Sequence, residues 1–322
     1  MAKQSAITFY QLSTDHVLDA VEKALNRTES GRRATGSVLA LNSLENRVYQ
    51  IEFEDGVKVV TKFYRPNRWN LSQLEEEHLF LKKLLAAEVP VVAPLSLPNA
   101  KGSTIATSSE GIHFAVFPMV KGRLLDELTP THLQILGRYV GRIHRIGATF
   151  QKTLRHRLDV ETFGWNALDY LLESNFFETD AVAEQYEDTV VGLLNRIEPM
   201  FTGKKYILVH GDCHLGNTLW NGEQPFFLDF DDLCMAPAVQ DIWMIVRGRD
   251  LSADKDREIL ISSYEQMNEF DPQELSLIEP LRALRIIHYS SWIAKRWDDP
   301  SFPRAFPDFG TTRYWHEEIS EL

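Results

Sequence analysis

The sequence has little cysteine and no excess of positive charge. Its 322 residues include only two cysteines, Cys213 and Cys234, without CxxC spacing. Two thiols are too few for a disulfide framework, and we expect both to be reduced, as in a cytoplasmic protein. The formal net charge is −12. Because the phosphate backbone of nucleic acids binds clustered Lys and Arg, we expect no nucleic-acid partner.

Long hydrophobic runs are also missing. The first fifteen residues contain Lys3 and Asp15 but no apolar run, so the sequence predicts no secretory signal peptide. No stretch approaches the about 20 apolar residues that cross a bilayer, so we expect no membrane partner and a cytoplasmic location. Hydrophobic residues make up 44% and charged residues 25%, which is typical of a globular protein with an ordinary core.

The order of predicted elements divides the chain near residue 120. Residues 13–26 predict an opening helix, and residues 46–66 predict a hairpin with Asp55-Gly56 at its turn. After a last strand at 112–117, the pattern becomes mostly helical, with helices expected at 131–147 and at about 178–200 and 273–297. We therefore expect an α+β fold with a small β-rich N-terminal lobe, 1–120, and a larger, mostly helical C-terminal lobe, 121–322.

The stretch "ILVHGDCHLGNTLW", residues 207–220, interrupts the helices with a short strand and a polar loop. A second β-prone run leads to Asp229, and Asn221-Gly222 between the runs is typical of a hairpin turn. The hairpin is expected to bring Asp212, Asn217 and Asp229 to one pocket. Mg²⁺ takes oxygen ligands and bridges phosphates, so Asn217 and Asp229 are candidate ligands. Asp212 is five residues before Asn217, the spacing at which kinases place the residue that accepts the proton of an attacking hydroxyl.

The same loop allows other interpretations. His210, Asp212, His214 and Asp229 are also candidate zinc ligands of a metal-dependent hydrolase. Alternatively, His210 is a buried histidine that holds the turn by bonding backbone, and His214 is a solvated loop residue. Asp241, which opens a later helix, caps that helix or braces the loop, and a structural role is preferred.

Phosphoryl transfer requires a strand lysine held by a helical glutamate, and the first lobe offers both. Lys62 lies in the returning strand of the hairpin. The following helix shows a Ser-x-x-Glu capping box at Ser72 and Glu75. Its apolar face is expected to contain Leu74, Leu81, Leu84 and Leu85. Glu77 falls on that face, where an unpaired carboxylate is costly, so Lys62 is its expected partner.

Other parts of a nucleotide site are less distinctive. The segment "LALNSLENRVYQIEF", residues 39–53, lacks the Gly-x-Gly-x-x-Gly pattern, so backbone amides and Ser43 would have to cover the phosphates. Pro118, Met119 and Val120 occupy the connector after the last strand, where an adenine ring would contact backbone.

Taken together, these motifs resemble a known superfamily. "HGDCHLGNTLW", "FLDFDD" and "LGRYVGRIH" are similar to the aminoglycoside phosphotransferase and choline kinase superfamily. "LNSLENRVYQ", "KFYRPNRW", "EEEHLFL" and "PAVQDIWM" extend the resemblance, over about residues 5–315, to the bacterial stress-response serine/threonine protein kinase (YihE/RdoA) family.

The resemblance implies a bilobal, protein-kinase-like fold with an N-terminal nucleotide-binding lobe and a C-terminal catalytic and acceptor-binding lobe. Asp212 would be the catalytic base, with Asp229 also catalytic, and Asn217 and Asp229 would bind Mg²⁺. The ATP-binding residues would be Ser43, Lys62, Glu77, Pro118, Met119 and Val120. The acceptor would be a protein Ser or Thr, including the protein itself, and the protein would be a cytoplasmic monomer active under envelope or oxidative stress.

Three alternatives to a protein kinase remain. A small-molecule kinase of the same fold would act on choline, homoserine or an aminoglycoside. A metal-dependent hydrolase would use the two loop histidines. A catalytically inactive nucleotide-binding module is disfavoured, because Lys62, Asp212, Asn217 and Asp229 are all present.

Overall fold

The structure, a computed structural model, describes residues 9–150 and 152–322. The expectation about a signal peptide therefore falls partly on residues outside this description. Contacts divide the chain into two units, the first reaching Asp126 and including Leu215–Asp231, and the second formed by Glu127–His214 and Asp232–Leu322. The segment after His214 thus groups with the N-terminal part of the chain, which the sequence did not indicate. The assignment of nucleotide and acceptor binding to separate lobes stays a prediction.

The first unit is built on an antiparallel sheet of five strands: β1 (Ala34–Leu41), β2 (Arg47–Phe53), β3 (Lys58–Phe63), β4 (Ala106–Thr107) and β5 (His113–Pro118). Their order in the sheet is β1-β2-β3-β5-β4. The hairpin predicted at 46–66 is β2 and β3. In the register, Lys62 of β3 pairs with Val48 of β2 and Ala115 of β5, so this lysine is central in the sheet.

Two helices accompany this sheet, α1 (Thr14–Ala24) and α2 (Leu71–Ala86). The predicted capping box of α2 is wrong by two residues. Asn70 is the N-cap, its side chain accepts from the Gln73 backbone, and the Gln73 side chain accepts from the Asn70 backbone. The buried side of α2 contains Leu74, Glu77, His78, Phe80, Leu81 and Leu84. Leu85, which the sequence placed on this side, is 54% exposed.

A second, two-stranded sheet of the first unit is the hairpin formed by β7 (Thr218–Asn221) and β8 (Gln224–Phe227). Backbone bonds connect it to its own unit: Phe227 bonds to Pro90 and Val92, and Trp220 bonds to Arg123. The predicted turn at Asn221-Gly222 is present. The strand before Asp212 does not belong to this hairpin, because β6 (Ile207–Val209) pairs with β9 (Cys234–Ala236) in the second unit.

The second unit is mostly helical, and the predicted α+β class is confirmed. Its helices are α3 (Pro130–Gly147), α4 (Asn166–Glu173), α5 (Asp180–Ile197), α6 (Val239–Ile245), α7 (Leu251–Tyr264), α8 (Ile278–Ala294), α9 (Ser301–Ala305) and α10 (Thr312–Glu321). Gly147 lets α3 approach β6 closely, since a Cβ there would lie 1.9 Å from the Leu208 carbonyl oxygen. In the described residues, no helix combines the length and the apolar character needed to cross a bilayer.

Candidate functional site

In the first unit, Lys62 joins two carboxylates. Its Nζ atom lies 2.6 Å from Asp229 Oδ1 and 3.4 Å from Asp231 Oδ1, and its side chain is 9% exposed. Burial alone would lower the pKa of Lys62, but the charges of Asp229, Asp231 and Glu77 raise it above its ordinary value. The lysine is therefore a fixed positive charge at neutral pH.

Asp231 is a residue that the sequence analysis missed. It is 2% exposed and receives hydrogen bonds from the Asn46 side chain, at 3.0 Å, and from Arg68. Asn46 in turn accepts the Arg65 backbone N–H at 3.1 Å. Asp231 thus connects the β1–β2 turn, the segment before α2 and Lys62, and a buried carboxylate of this kind requires such partners.

Asn217 and Asp229 lie at the two ends of the β7–β8 hairpin. The Asn217 carbonyl accepts the Leu228 N–H at 2.9 Å, which fixes Asn217 beside the residue that precedes Asp229. Asp229 has a φ of 54°, an uncommon conformation for a residue other than glycine, and its side chain is 49% exposed. One exposed carboxylate and one amide group at the open end of this hairpin offer oxygen atoms of the kind that Mg²⁺ prefers.

Glu77 is buried, as the sequence predicts, but its relation to Lys62 differs from the expected one. Its side chain is on α2, and the residue is 1% exposed. The carboxylates recorded at ion-pair distance from Lys62 are Asp229 and Asp231, whereas Glu77 acts on Lys62 through its charge. A role of Glu77 at the nucleotide stays a prediction.

The other residues predicted to bind nucleotide also lie in the first unit. The Ser43 hydroxyl accepts the Asn46 N–H at 3.3 Å in the turn between β1 and β2. Pro118 ends β5, where it pairs with Val59, and Met119 after it is 40% exposed. With Val120, these positions form a chain segment leaving the sheet, and their contacts with nucleotide stay predictions.

In the second unit, Asp241 holds the loop that contains Asp212. Its two carboxylate oxygens accept the backbone N–H groups of His210 and Gly211, each at 2.9 Å. Gln240 donates to the Gly211 carbonyl at 2.9 Å. Gly211 has a φ of +85°, and a Cβ there would lie 2.2 Å from the Asp232 carbonyl oxygen, so only glycine fits. Asp241 therefore braces the loop, and the N-cap of α6 is Ala238 instead.

Two buried histidines complete this brace. His144 of α3 lies between Asp241 Oδ2, 2.9 Å from its Nε2, and the Tyr264 hydroxyl, 3.1 Å from its Nδ1. His210 is fully buried, and its Nδ1 accepts the Asp212 N–H at 3.3 Å. His210 thus holds the turn by bonding backbone, one of the two roles the sequence left open. That nitrogen is not available to zinc.

Replacing Asp241 with Asn should lower the free energy of unfolding by about 1–3 kcal/mol, because the new amide group points a donor at a buried N–H and leaves it unsatisfied. Urea denaturation measures the change. Asp188→Asn, the same substitution at an exposed position of α5, is the control and should have little effect. Equal stability of the two variants would show that Asp241 does not brace the loop.

Asp212 has two basic neighbours in its own unit. Its Oδ1 atom lies 2.8 Å from Nη2 of Arg285, and its Oδ2 atom lies 3.3 Å from Nε2 of His214. Burial alone would raise the pKa of Asp212, but the hydrogen bond with His214 and the charge of Arg285 lower it below its ordinary value. Asp212 is therefore an ionised carboxylate. The sequence missed Arg285, and His214 contacts Asp212 where the sequence favoured a solvated residue.

The geometry does not favour the zinc interpretation of the loop. Over residues 9–150 and 152–322, no group of three or more His, Cys, Asp or Glu side chains is arranged to hold a metal ion. A zinc hydrolase needs at least three such protein ligands. A magnesium site needs fewer, since Mg²⁺ keeps water and substrate oxygens among its ligands.

Several solved structures share this fold, and two of them are named as a kinase and a phosphotransferase. An amicoumacin kinase in complex with AMP-PNP, Ca²⁺ and Ami has a TM-score of 0.72 at 18% identity, covering 96% of this chain and 93% of that one. A spectinomycin phosphotransferase in complex with ADP and spectinomycin has a TM-score of 0.63 at 15% identity, covering 96% of this chain and 98% of that one. At such identities these similarities establish the fold alone.

Sequence comparison is more specific. The phosphotransferase enzyme family model, APH, matches residues 37–278. Stress response kinase A of Escherichia coli K12 is 38% identical over 321 residues, covering 97% of this chain and 92% of the relative. Serine/threonine protein kinase RdoA of Salmonella typhimurium is 36% identical over 316 residues, covering 98% of this chain and 93% of the relative. The chain therefore belongs to the APH phosphotransferase family, among the relatives called stress response kinase A.

Proposed function

We propose that the protein is an ATP- and Mg²⁺-dependent kinase that phosphorylates Ser or Thr hydroxyls of proteins, itself included, in a bacterial stress response. The observation that carries the kinase assignment is the 2.6 Å pair between the strand lysine Lys62 and Asp229. A fixed cation beside an exposed carboxylate and an amide suits a metal-bound triphosphate. Similarity to named kinases over nearly the whole chain supports the same assignment.

Each residue has a distinct task in this proposal. Lys62 contacts the phosphates, and Glu77 and Asp231 keep it charged and positioned. Asn217 and Asp229 hold Mg²⁺, which supplies charge neutralisation on the phosphates when bound. Ser43 and the connector at Pro118, Met119 and Val120 bind the rest of the nucleotide.

Asp212 acts on the acceptor. The acceptor hydroxyl oxygen forms a bond to the γ-phosphorus, the bond from that phosphorus to the β–γ bridging oxygen breaks, and ADP leaves. The hydroxyl proton passes to the Asp212 carboxylate. Before the transfer, the same ionised carboxylate accepts a hydrogen bond from the hydroxyl and orients its oxygen toward the γ-phosphorus.

The class of acceptor rests on the relatives. The Salmonella typhimurium relative is called a serine/threonine protein kinase, and it matches this chain over nearly its whole length. The second candidate is a small-molecule kinase, which is favoured by the solved structures of amicoumacin kinase, spectinomycin phosphotransferase and an aminopropanol kinase. Those proteins are at most 18% identical to this chain, so we prefer a protein acceptor.

An acceptor panel tests the choice. With Mg²⁺ and labelled ATP, we expect phosphate on Ser or Thr of the protein itself or of an added protein, and no comparable turnover of choline, homoserine or kanamycin. Phosphoamino-acid analysis identifies the labelled Ser or Thr of the proteins, and product formation measures the turnover of the three small molecules. Turnover of a small alcohol at about 1–10³ s⁻¹, the rate of ordinary enzymes, with only trace protein labelling would support the small-molecule kinase instead.

A further inference from the structure

Four arginines of the second unit form a group that includes the partner of Asp212. Arg285, whose side chain is 38% exposed, lies 2.8 Å from the Asp212 carboxylate. Arg282, one turn earlier on α8, donates to the Arg247 carbonyl at 2.9 Å. Glu279 pairs with both Arg282, at 3.4 Å, and Arg249, at 2.8 Å. We call Arg247, Arg249, Arg282 and Arg285 the arginine cluster.

The arginine cluster has more positive than negative charge. Its recorded carboxylate partners are Glu279 and Asp212, two acids for four guanidinium groups. Asp250 follows Arg249 in the chain, but its side chain caps α7 by accepting the Ala253 N–H. The whole chain has a formal net charge of −12, so this local excess of positive charge differs from the average charge of the protein.

Arg247 is the arginine of the cluster whose positive charge is least compensated by carboxylates. Within residues 9–150 and 152–322, no carboxylate is recorded at ion-pair distance from it. Partial burial lowers the pKa of Arg247, and the like charges of Arg285 and Arg282 lower it further, while Asp212 acts in the opposite direction. Arg247 is still accessible to solvent, so its guanidinium group, beside two other arginines, suits the binding of an anion.

We infer that the arginine cluster binds a negatively charged group of the acceptor, so that the preferred acceptor carries a carboxylate or phosphate close to its Ser or Thr hydroxyl. This inference rests on the proposed function, since it concerns the acceptor of that same reaction. Arg285 contacts Asp212 with one side of its guanidinium group and has donors left for an anion, which would bring the neighbouring hydroxyl to the base. A polycationic acceptor would be repelled by the same cluster.

Matched peptides test this inference. Four peptides of equal length each contain one acceptor Ser. The residues beside this Ser are Asp and Glu in the first peptide, phosphoserine in the second, Gln in the third and Lys in the fourth, and kcat/KM is measured for each. The kcat/KM of the acidic peptides should exceed that of the Gln peptide by about tenfold at low salt. This ratio should fall as added salt screens the charges. Comparison of the Asp and Glu peptide with the phosphoserine peptide shows whether the arginine cluster prefers a carboxylate or a phosphate. Equal use of all four peptides, or preference for Lys, would overturn the inference.

Variants of Arg247 connect the preference to the cluster. In Arg247→Gln the ratio of acidic to neutral kcat/KM should fall to about one, and Arg247→Lys, which keeps the charge, should retain much of it. Arg313→Gln is the control, because Arg313 pairs with Glu317 on α10 and is exposed. A ratio that is unchanged in Arg247→Gln, with a folded protein by circular dichroism, contradicts the role of the cluster.

A binding measurement separates this inference from the proposed function. Fluorescence anisotropy with a labelled acidic peptide needs no catalysis, and Arg247→Gln should weaken binding about tenfold relative to Arg313→Gln. If a small alcohol is the real acceptor, the protein-kinase proposal fails, yet the acidic peptide still binds through the cluster. Equal binding of acidic and neutral peptides to the wild-type protein would reject the anion site whichever acceptor is used.

Discussion

Replacing Asp212 with Asn should lower phosphoryl transfer by about 10² to 10⁴-fold, the usual contribution of a general base, and leave ATP binding nearly intact. The amide keeps the size of the carboxylate but cannot take the hydroxyl proton. In its own unit Asp212 contacts Arg285 and His214, both of which stabilise its ionised form. Single-turnover kinetics and titration with a fluorescent nucleotide measure the two effects separately.

The control for this variant is Asp188→Asn, which makes the same chemical change on the exposed side of α5. A further comparison is Asp241→Asn, which disturbs the loop without touching the carboxylate of Asp212. Near wild-type turnover in Asp212→Asn would show that another group accepts the proton. A loss of nucleotide affinity as large as the loss of transfer would mean that the change damages the fold or the metal site.

The sequence predicts well those residues whose tasks follow from local pattern. The β2–β3 hairpin follows from alternation around Asp55-Gly56, and the burial of Glu77 follows from its place among the leucines of α2. The capping box was harder, because two patterns overlap in "NLSQLE": Asn-x-x-Gln and, two residues later, Ser-x-x-Glu. The structure uses the first, since Asn70 has the extended backbone of an N-cap.

Other elements have no local pattern to reveal them. Strand β1 was not predicted, because its alternation is weak, it contains Gly36 with a φ of +85°, and its pairing shifts register after Ala34. Strand β9 is three residues long and becomes visible only through its pairing with β6. Their identification depends on partners that are distant in the chain.

The residues of the candidate site also divide into those that a local sequence pattern indicates and those that no such pattern indicates. The loop around Asp212 and the hairpin after it indicate the candidate base and metal ligands, because their spacing is local. The strand lysine followed by a helical glutamate indicates Lys62, because this order follows a known template. Asp231 and Arg285 were missed, since each acts through a partner more than 70 residues away, Lys62 and Asp212 respectively. An arginine in an amphipathic helix is ordinarily a surface residue, and only its contact with a carboxylate distinguishes this one.

Replacing Lys62 with Met should lower phosphoryl transfer by about 10²-fold, because the phosphates lose the contact that positions them. Methionine preserves the packing of the aliphatic stem, and stability measured in parallel identifies any general unfolding. Nucleotide affinity should also fall, which distinguishes this variant from Asp212→Asn. Unchanged transfer in a folded protein would contradict the role of Lys62.

A double-mutant cycle tests whether Glu77 acts through Lys62. Glu77→Gln should also lower transfer, by a smaller factor than Lys62→Met, because Glu77 influences the lysine by charge while Asp229 and Asp231 lie at ion-pair distance. The exposed neighbour Glu75, changed to Gln, is the control on the same helix. If Glu77 works only by holding the charge of Lys62, adding Glu77→Gln to Lys62→Met should cause little further loss. Fully additive losses would mean that Glu77 contributes independently of the lysine, as a direct contact of the nucleotide would.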